Sequence, residues 1–279
     1  MMAADLVSAQ GDDPVRSPAS PALPPPADDL ALALQIADAV DALTMSQFRS
    51  ADLRVRTKPD NTPVTEADLK AERAIRDLLA GERPHDSILG EEFGEEHGSD
   101  RQWIIDPIDG TKNFLRGVPV WCTLIGLRQG DSVVVGVASA PALGRRWWAS
   151  AGGGAWTRDV DGSVRQLHAS GVRHLADASF SYSDEVGWGS ARDGLHDLIK
   201  RCWRTRAYGD FWSHVLVAEG AVDVAAEPDL KPWDLAALIP IVTESGGRMT
   251  SLKGGDPLAD GSAVTTNGIL HDEVLALVR

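Results

Sequence analysis

The sequence WIIDPIDGTKNF, residues 103–114, joins a short apolar run to two acidic residues. The apolar run predicts a strand that ends at Asp106, because Pro107 lacks the N–H group that would continue a sheet. Asp109 follows three residues later, before Gly110, so two carboxylates are expected in one small volume. Carboxylates in contact repel each other, and a hard divalent ion such as Mg²⁺ would relieve that repulsion. The alternative is two aspartates that only stabilise a turn.

The bulk composition is that of a globular protein. The chain has 279 residues, of which 43% are hydrophobic and 24% charged, enough for a large core. A net charge of −14 argues against nucleic acid as a partner, because binding to phosphate polymers needs clustered Lys and Arg. No apolar run approaches the roughly 20 residues of a membrane span, and the start does not resemble a signal peptide. We therefore expect a cytoplasmic protein that does not attach to membranes.

Three segments differ in their sequence pattern. Residues 1–27 are rich in Ala, Pro, Asp and Ser and predict a disordered tail. Residues 28–160 predict two helices, at about 30–48 and 66–80 with Gly81 as the stop signal, separated by an exposed loop around 58–64 and followed by strands with hairpin spacing. Residues 161–279 alternate strands with helices, the longest at 234–244, which is typical of a more parallel sheet. We expect the metal site in the first half and the substrate-specificity residues in the second.

Further acidic residues lie where predicted elements start or stop. Asp68 opens the second helix, Glu91 follows the strand before residue 90, and Asp234 precedes the helix at 234–244. Each has a local explanation: a capping box for Asp68, a solvated loop for Glu91 and a helix N-cap for Asp234. Glu227, directly before Pro228, could simply be exposed in a loop.

Taken together, the acidic motifs resemble those of the inositol monophosphatase family. They are VTEAD (64–68), GEE (90–92), DPIDGT (106–111) and WDLAA (233–237), in that order. The resemblance extends over residues 28–279 and implies a layered α/β/α/β/α fold, with an antiparallel N-terminal sheet and a smaller, more parallel C-terminal sheet. It also implies a homodimer that uses two or three Mg²⁺ ions to hydrolyse phosphate monoesters. The implied metal ligands are Asp68, Glu91, Asp106, the Ile108 carbonyl, Asp109 and Asp234.

The implied chemistry is an in-line attack of metal-activated water on phosphorus. Thr111, with Glu91 or Asp68 beside it, is the candidate for orienting that water. The backbone amides of Gly110 and Thr111 are expected to hold the phosphate. A Cys or Ser nucleophile is not required.

The identity of the leaving alcohol is predicted from the run YGDFWSH at residues 208–214, together with Glu227. Asp210 and Glu227 would form an anionic pocket for a cationic leaving group; the alternative for Asp210 is that it only caps the helix that follows. Phe211 and Trp212 either line that pocket or pack in the core. The run also resembles family members that hydrolyse histidinol phosphate, so L-histidinol phosphate and a role in histidine biosynthesis are predicted. A broad-specificity inositol monophosphatase is the alternative. A non-catalytic metal- or metabolite-binding protein is a more remote one, which Thr111 disfavours because a binder needs no water-orienting hydroxyl.

Overall fold

A computed structural model describes residues 27–51, 53–57 and 63–279. The predicted disordered tail, apart from Ala27, lies outside these residues, as does most of the predicted exposed loop at 58–64. Among the helices of the described ranges, none combines the length and the apolar composition that a membrane crossing requires.

The described helices and strands alternate in short segments. The helices are α1 (Ala27–Gln47), α2 (Glu66–Glu82), α3 (Thr111–Arg116), α4 (Arg192–Arg201), α5 (Asp210–Ala218), α6 (Pro232–Leu235), α7 (Leu238–Glu244), α8 (Pro257–Asp260) and α9 (His271–Val278). The strands are β1 (Val55–Thr57), β2 (Pro63–Thr65), β3 (Ser87–Gly90), β4 (Gly94–Glu96), β5 (Arg101–Asp109), β6 (Cys122–Gln129), β7 (Ser132–Ala140), β8 (Arg145–Ser150), β9 (Gly154–Arg158), β10 (Val164–Gln166), β11 (Ser179–Ser181), β12 (Arg204–Arg206), β13 (Val224–Glu227), β14 (Arg248–Thr250) and β15 (Ala263–Thr266).

Two sheets dominate the described part of the chain. The first has eight strands in the order β10-β9-β8-β7-β6-β5-β3-β4, and all of its pairs are antiparallel except β3–β5. The second has five strands in the order β12-β11-β13-β15-β14. Its pairs β11–β12 and β11–β13 are parallel, and the other two are antiparallel. The predicted contrast between a larger antiparallel and a smaller, more parallel sheet is confirmed.

Helices cover both sheets, and apolar side chains fill the spaces between the layers. α1 and α2 pack Ile36 and Ile75 against Trp103 and Ile125 of the first sheet. On its other face, α5 and α7 bury an apolar cluster that includes Phe211, Val215 and Ile241 against Leu124 and Trp147. α4 and α9 pack Leu195, Leu198 and Val274 against Phe180 and Val224 of the second sheet. The layers therefore run α/β/α/β/α, as the motifs implied.

The predicted boundary between residues 160 and 161 falls just before β10. This strand pairs with β9 at the edge of the first sheet, so Val164–Gln166 extend that sheet past the boundary. The central layer contains α5 and α7, whose side chains share one apolar cluster with β6 and β8. The two segments are thus joined by a common core.

Two predicted element ends and one predicted helix are wrong. Pro107 does not end its strand, because β5 continues to Asp109 with a register shift between Asp106 and Asp109. A bulge leaves a residue outside the hydrogen-bonded ladder, where proline's missing N–H does no harm. Gly81 lies inside α2, which ends at Glu82 with Arg83 as its cap. The single helix predicted at 234–244 is divided into α6 and α7.

Candidate active site

The bulge in β5 brings its two aspartates to the same place. Asp106 and Asp109 are 2% and 8% exposed. Each carboxylate is oriented by one backbone N–H: that of Ile108 donates to Asp106 at 2.9 Å, and that of Phe211 donates to Asp109 at 2.9 Å. The second of these hydrogen bonds ties the start of α5 to the end of β5. The carboxylates are therefore held in place by the backbone.

Asp234 completes a three-carboxylate cluster with these two residues. It lies within α6, and its carboxylate accepts the Lys231 N–H at 2.8 Å. It is thus inside the helix and not at the predicted N-cap position, which Lys231 occupies. One carboxylate oxygen from each of Asp106, Asp109 and Asp234 lies within 4.8 Å of the other two. These three residues together could hold a metal ion.

Asp68 and Glu91 lie beside the cluster. Asp68 is buried and closes the predicted capping box: its Oδ2 accepts the Thr65 N–H at 2.8 Å and the Thr65 hydroxyl at 2.5 Å. Its Oδ1 is also buried and has no hydrogen-bond partner among the described residues. Glu91 follows β3, where its N–H donates to the Ile105 carbonyl at 3.3 Å. The capping box therefore accounts for the burial of Oδ2 of Asp68, which is hydrogen-bonded, but not for that of Oδ1.

The site holds more negative charge than an interior tolerates without a cation. Burial raises the pKa of Asp106 well above its usual value, and the charges of Glu91, Asp109 and Asp234 raise it further. Burial likewise raises the pKa of Asp109 well above its usual value. Loss of solvation raises the pKa of Asp234 to about 7 and that of Asp68 to about 6. Such shifts show that ionising these groups together is unfavourable in the metal-free protein.

The turn after β5, Gly110 and Thr111, lines the same cleft as the carboxylates. Gly110 has a φ of 81° and precedes α3. A Cβ there would lie 3.1 Å from the Val120 carbonyl oxygen, so the position favours glycine in both conformation and space. The Thr111 hydroxyl donates to the Ile108 carbonyl at 3.0 Å. Its lone pairs therefore remain available to accept a hydrogen bond from another group.

Asp210 and Glu227 are brought together by Ser183. Glu227 is the last residue of β13 and is 5% exposed, so its predicted alternative as an exposed loop residue is wrong. The Ser183 hydroxyl donates to Glu227 at 2.7 Å and accepts the Asp210 N–H at 3.2 Å. Burial raises the pKa of Glu227 to about 8 and that of Asp210 to about 6. Asp210 is the first residue of α5, and no side chain caps this helix, so the predicted N-cap alternative does not apply.

Phe211 and Trp212 pack in the core. Phe211 is 1% exposed, and its ring centroid lies 6.0 Å from that of Trp147. The Trp212 ring contacts the same tryptophan at 5.7 Å. Of the two roles considered for these aromatics, core packing is therefore the one the structure supports.

The acidic groups line a divided cleft. An inner cavity of about 340 Å³ is lined by Asp106, Asp109, Asp234 and Glu227, among others. An adjoining outer cavity of about 440 Å³ is lined by Asn113 and Tyr208, among others. Both cavities are bordered by Glu91, Gly110, Thr111, Lys112, Ser183, Asp184 and Asp210. The cleft thus brings together every predicted site residue except Asp68, which lies in the first turn of α2 and lines neither cavity.

A model of the inositol monophosphatase family matches residues 27–279. The chain belongs to this family. A protein titled extragenic suppressor protein SuhB, from Bartonella henselae, is a structural neighbour with a TM-score of 0.83 and 28% sequence identity. The match covers 90% of this chain and 98% of that one.

Two bacterial relatives are more similar in sequence. A protein named histidinol-phosphatase from Streptomyces coelicolor is 54% identical over 258 residues, which is 90% of this chain and 97% of the relative. A protein of the same name from Mycobacterium tuberculosis is 56% identical over 254 residues, which is 89% of this chain and 96% of the relative. The similarity therefore spans both sheets.

In this member of the inositol monophosphatase family, the cleft also contains residues that the sequence analysis missed. Lys112 and Asp184 border both cavities, Ser183 links Glu227 to Asp210, and Tyr208 lines the outer cavity. Lys112 could have been recognised from its place directly after Thr111. Ser183 and Asp184 carry no comparable signal, because only the parallel pairing of β11 with β13 places them beside Glu227.

Proposed function

We propose that this protein is a Mg²⁺-dependent phosphate monoester hydrolase that converts L-histidinol phosphate to histidinol and inorganic phosphate in histidine biosynthesis. The observation that carries the proposal is the arrangement of acids in the cleft. Three carboxylates close enough to share a cation adjoin Asp210 and Glu227, which Ser183 links to each other. The two relatives named histidinol-phosphatase, similar over almost their whole length, support the same substrate.

The residues of the cluster fit Mg²⁺. The donor set is made of oxygen atoms only, which is the preference of a hard divalent cation. The buried Oδ1 of Asp68, without a partner among the described residues, is the kind of atom that a cation or its water would satisfy. We infer that Asp106, Asp109 and Asp234 hold one ion, with Glu91, the Ile108 carbonyl and Asp68 serving one or two more. When bound, Mg²⁺ would neutralise the acids and the phosphate and lower the pKa of a water molecule.

The protein's own groups would position the reacting atoms. In the reaction, a water oxygen forms a bond to phosphorus while the bond from phosphorus to the histidinol oxygen breaks, and that oxygen takes up a proton. Thr111 donates its proton to Ile108, so it can only accept from the water, which fixes the orientation of the water. Glu91 borders the same cavities and is the candidate to take up the water's proton. The amides of Gly110 and Thr111 would hold the phosphate oxygens, and Lys112 adds a positive charge nearby.

Asp210 and Glu227 would select the alcohol by charge. Histidinol carries an ammonium group and an imidazole, both of which can be cationic. Burial makes ionisation of the two acids unfavourable, so a cation in the pocket would relieve that penalty as well as form charge-assisted hydrogen bonds. A neutral polyol offers no such compensation. The proposed pocket therefore distinguishes histidinol phosphate from inositol phosphates.

The test is a comparison of substrates with the purified full-length protein. Phosphate release is measured with and without Mg²⁺ from L-histidinol phosphate, inositol 1-phosphate and glycerol phosphate. We expect Mg²⁺-dependent turnover and a kcat/KM for histidinol phosphate at least about tenfold above the others, as one charge-assisted contact would give. Faster hydrolysis of inositol 1-phosphate would favour a broad-specificity inositol monophosphatase. Absence of turnover on all three esters would contradict an enzymatic role.

A further inference from the structure

Tyr208 is an aromatic residue of the cleft whose side chain is exposed to solvent. It lines the outer cavity and is 53% exposed. Phe211, which borders the inner cavity, is 1% exposed and contacts Trp147 in the core. Trp212 packs on the same tryptophan. The imidazole of His214, which also lines the inner cavity, is 2% exposed. Among the described residues that line the two cavities, Tyr208 is therefore the one with an exposed aromatic ring.

The backbone fixes Tyr208 at the edge of the substrate pocket. Gly209 and Asp210, the two residues after it, have φ angles of 59° and 49°. A Cβ on Gly209 would lie 1.9 Å from the Ser183 hydroxyl oxygen, so this turn is pressed against Ser183. Positive φ at a non-glycine residue is uncommon and persists where surrounding contacts impose it. The same serine hydroxyl orients Glu227 and accepts the Asp210 N–H, which links the turn to the proposed acid pair.

The surroundings of Tyr208 are acidic and polar. Asp184 and Asp210 line the outer cavity with it, as does Lys112, the residue after Thr111. A neutral aromatic face beside carboxylates suits a flat ring that carries positive charge, because stacking, cation–π attraction and charge pairing then act on the same group. A saturated polyol has no π face and gains less from such a surface.

We propose that Tyr208 contacts the imidazole of the leaving group and is a specificity-determining residue for heteroaromatic phosphate esters. This inference rests on the proposed function. Asp210 and Glu227 would recognise positive charge, and Tyr208 would recognise the ring. The two contributions can be separated, because a cationic ester without a ring should use the first and not the second.

The experiment compares Tyr208→Ala, Tyr208→Phe and the parent on three esters with Mg²⁺. L-histidinol phosphate has charge and a ring, O-phosphoethanolamine has charge only, and glycerol phosphate has neither. Tyr208→Ala should lower kcat/KM for histidinol phosphate about tenfold and raise the inhibition constant of L-histidinol to a similar extent, as expected for loss of one aromatic contact. Tyr208→Phe, which keeps the ring, should stay within about twofold of the parent. The other two esters should change less than about twofold with either variant.

A matched control is Trp203→Ala. Trp203 is 67% exposed, does not line either cavity, and should leave all three rates unchanged. If the parent prefers histidinol phosphate but Tyr208→Ala hydrolyses it at the parental rate, the role of Tyr208 is disproved while the proposed function stands. An equal loss on all three esters would also disprove it, because Tyr208 would then act on the site as a whole. A parent without preference for histidinol phosphate overturns both.

Discussion

At the scale of single residues, the site is dominated by carboxylates whose charges are unfavourable without a cation. Asp106 is oriented by the N–H of Ile108 and Asp109 by that of Phe211, and an asparagine oxygen can accept the same hydrogen bonds. Replacing either residue by Asn should therefore keep the geometry while removing one charge. The substitution should then weaken metal binding but stabilise the metal-free protein.

We expect Asp106→Asn and Asp109→Asn to abolish Mg²⁺-dependent hydrolysis and to melt at a higher temperature than the parent when metal is absent. The amide cannot replace a carboxylate ligand, but it relieves repulsion from neighbouring acids, chiefly Glu91 for Asp106 and Asp210 for Asp109. Phosphate release and thermal melting with and without Mg²⁺ measure both effects. Asp272→Asn, which removes only an exposed ion pair with Arg248, is the control: hydrolysis should be unchanged, and melting should shift little and equally with and without Mg²⁺. Turnover near the parental rate in saturating Mg²⁺ would remove these residues from the metal site.

Thr111→Ala should lower kcat by on the order of 10²-fold while Mg²⁺ activates at an unchanged concentration. The reason is that its hydroxyl donates to Ile108 and can orient a water only through its lone pairs, without being a metal ligand. Steady-state kinetics over a range of Mg²⁺ concentrations separates the two effects. Thr111→Ser keeps the hydroxyl and should recover most of kcat. An alanine variant with the parental kcat would exclude Thr111 from the mechanism.

Asp210→Asn and Glu227→Gln should each lower kcat/KM for histidinol phosphate by roughly ten- to a hundredfold, since a charge-assisted hydrogen bond contributes roughly 1.5–3 kcal/mol. The amides can still accept from Asn113 and Ser183, so the pocket should keep its shape. Glycerol phosphate hydrolysis, measured in parallel, should be unchanged or faster. Equal losses on both esters would show that the two acids support the fold and not the choice of substrate.

At the scale of elements, α6 and α7 bring Asp234 to β5 because two glycines leave room for them. Gly126 and Gly136 are opposite each other in β6 and β7. A Cβ on Gly126 would lie 2.9 Å from the Ala236 Cβ, and one on Gly136 would lie 2.1 Å from the Ala237 carbonyl oxygen. The junction between the two helices therefore rests directly on the sheet, two residues after Asp234. The two glycines do not bind the metal themselves, but they set the position of Asp234, a proposed metal ligand.

Gly136→Ala should lower the free energy of unfolding by about 1–3 kcal/mol and raise the Mg²⁺ concentration needed for half-maximal activity, because the added methyl displaces the helix junction. Urea unfolding and Mg²⁺ titration measure the two effects. Gly81→Ala is the matched control: its Cβ would meet nothing within 4 Å and it lies in α2. That change should stabilise the protein by about 0.5–1 kcal/mol, since alanine favours a helix. Parental stability and Mg²⁺ response in Gly136→Ala would contradict the argument.

The sequence predicted most elements because their signals are local. Thr65 and Asp68 form the expected capping box, and the apolar residues of α2 face the first sheet. The predictions failed where a distant partner decides the outcome. Pro107 is tolerated because Asp109 pairs with Cys122 after a register shift, and Glu227 is buried because Ser183 reaches it from another strand. Local sequence propensity cannot predict either of these long-range contacts.

At the scale of the whole molecule, the protein is acidic, and its cleft concentrates several of the acidic side chains. The net charge is −14, and five carboxylates that line the inner cavity have a raised pKa: Asp106, Asp109, Asp210, Glu227 and Asp234. The family motifs could be found from the sequence because each is a short continuous run. On the leaving-group side, Asp210 and Glu227 could also be named, but Ser183 could not, because it reaches both acids only through the assembly of β11, β13 and α5.

The stability of the metal-free protein should increase as the pH falls from about 8.5 to about 6.5. The pKa of Glu227 is raised to about 8 and that of Asp234 to about 7, whereas both groups are fully ionised in the unfolded chain over this range. The folded state therefore takes up protons that the unfolded state does not, and the gain should be on the order of 2 kcal/mol. Urea unfolding in EDTA at the two pH values measures it.

Glu227→Gln should reduce this pH dependence, because the amide does not titrate, whereas the remaining cleft acids still do. Mg²⁺ should have the opposite effect, stabilising the parent more at about pH 8.5 than at about pH 6.5, since protons compete with the ion for Asp234. Exposed carboxylates cannot produce either pattern, because their pKa values lie near 4 in both folded and unfolded states. Metal-free stability that is flat or falls on acidification over this range would mean that the cleft acids are solvated, and the electrostatic basis for both the metal site and the cation pocket would fail.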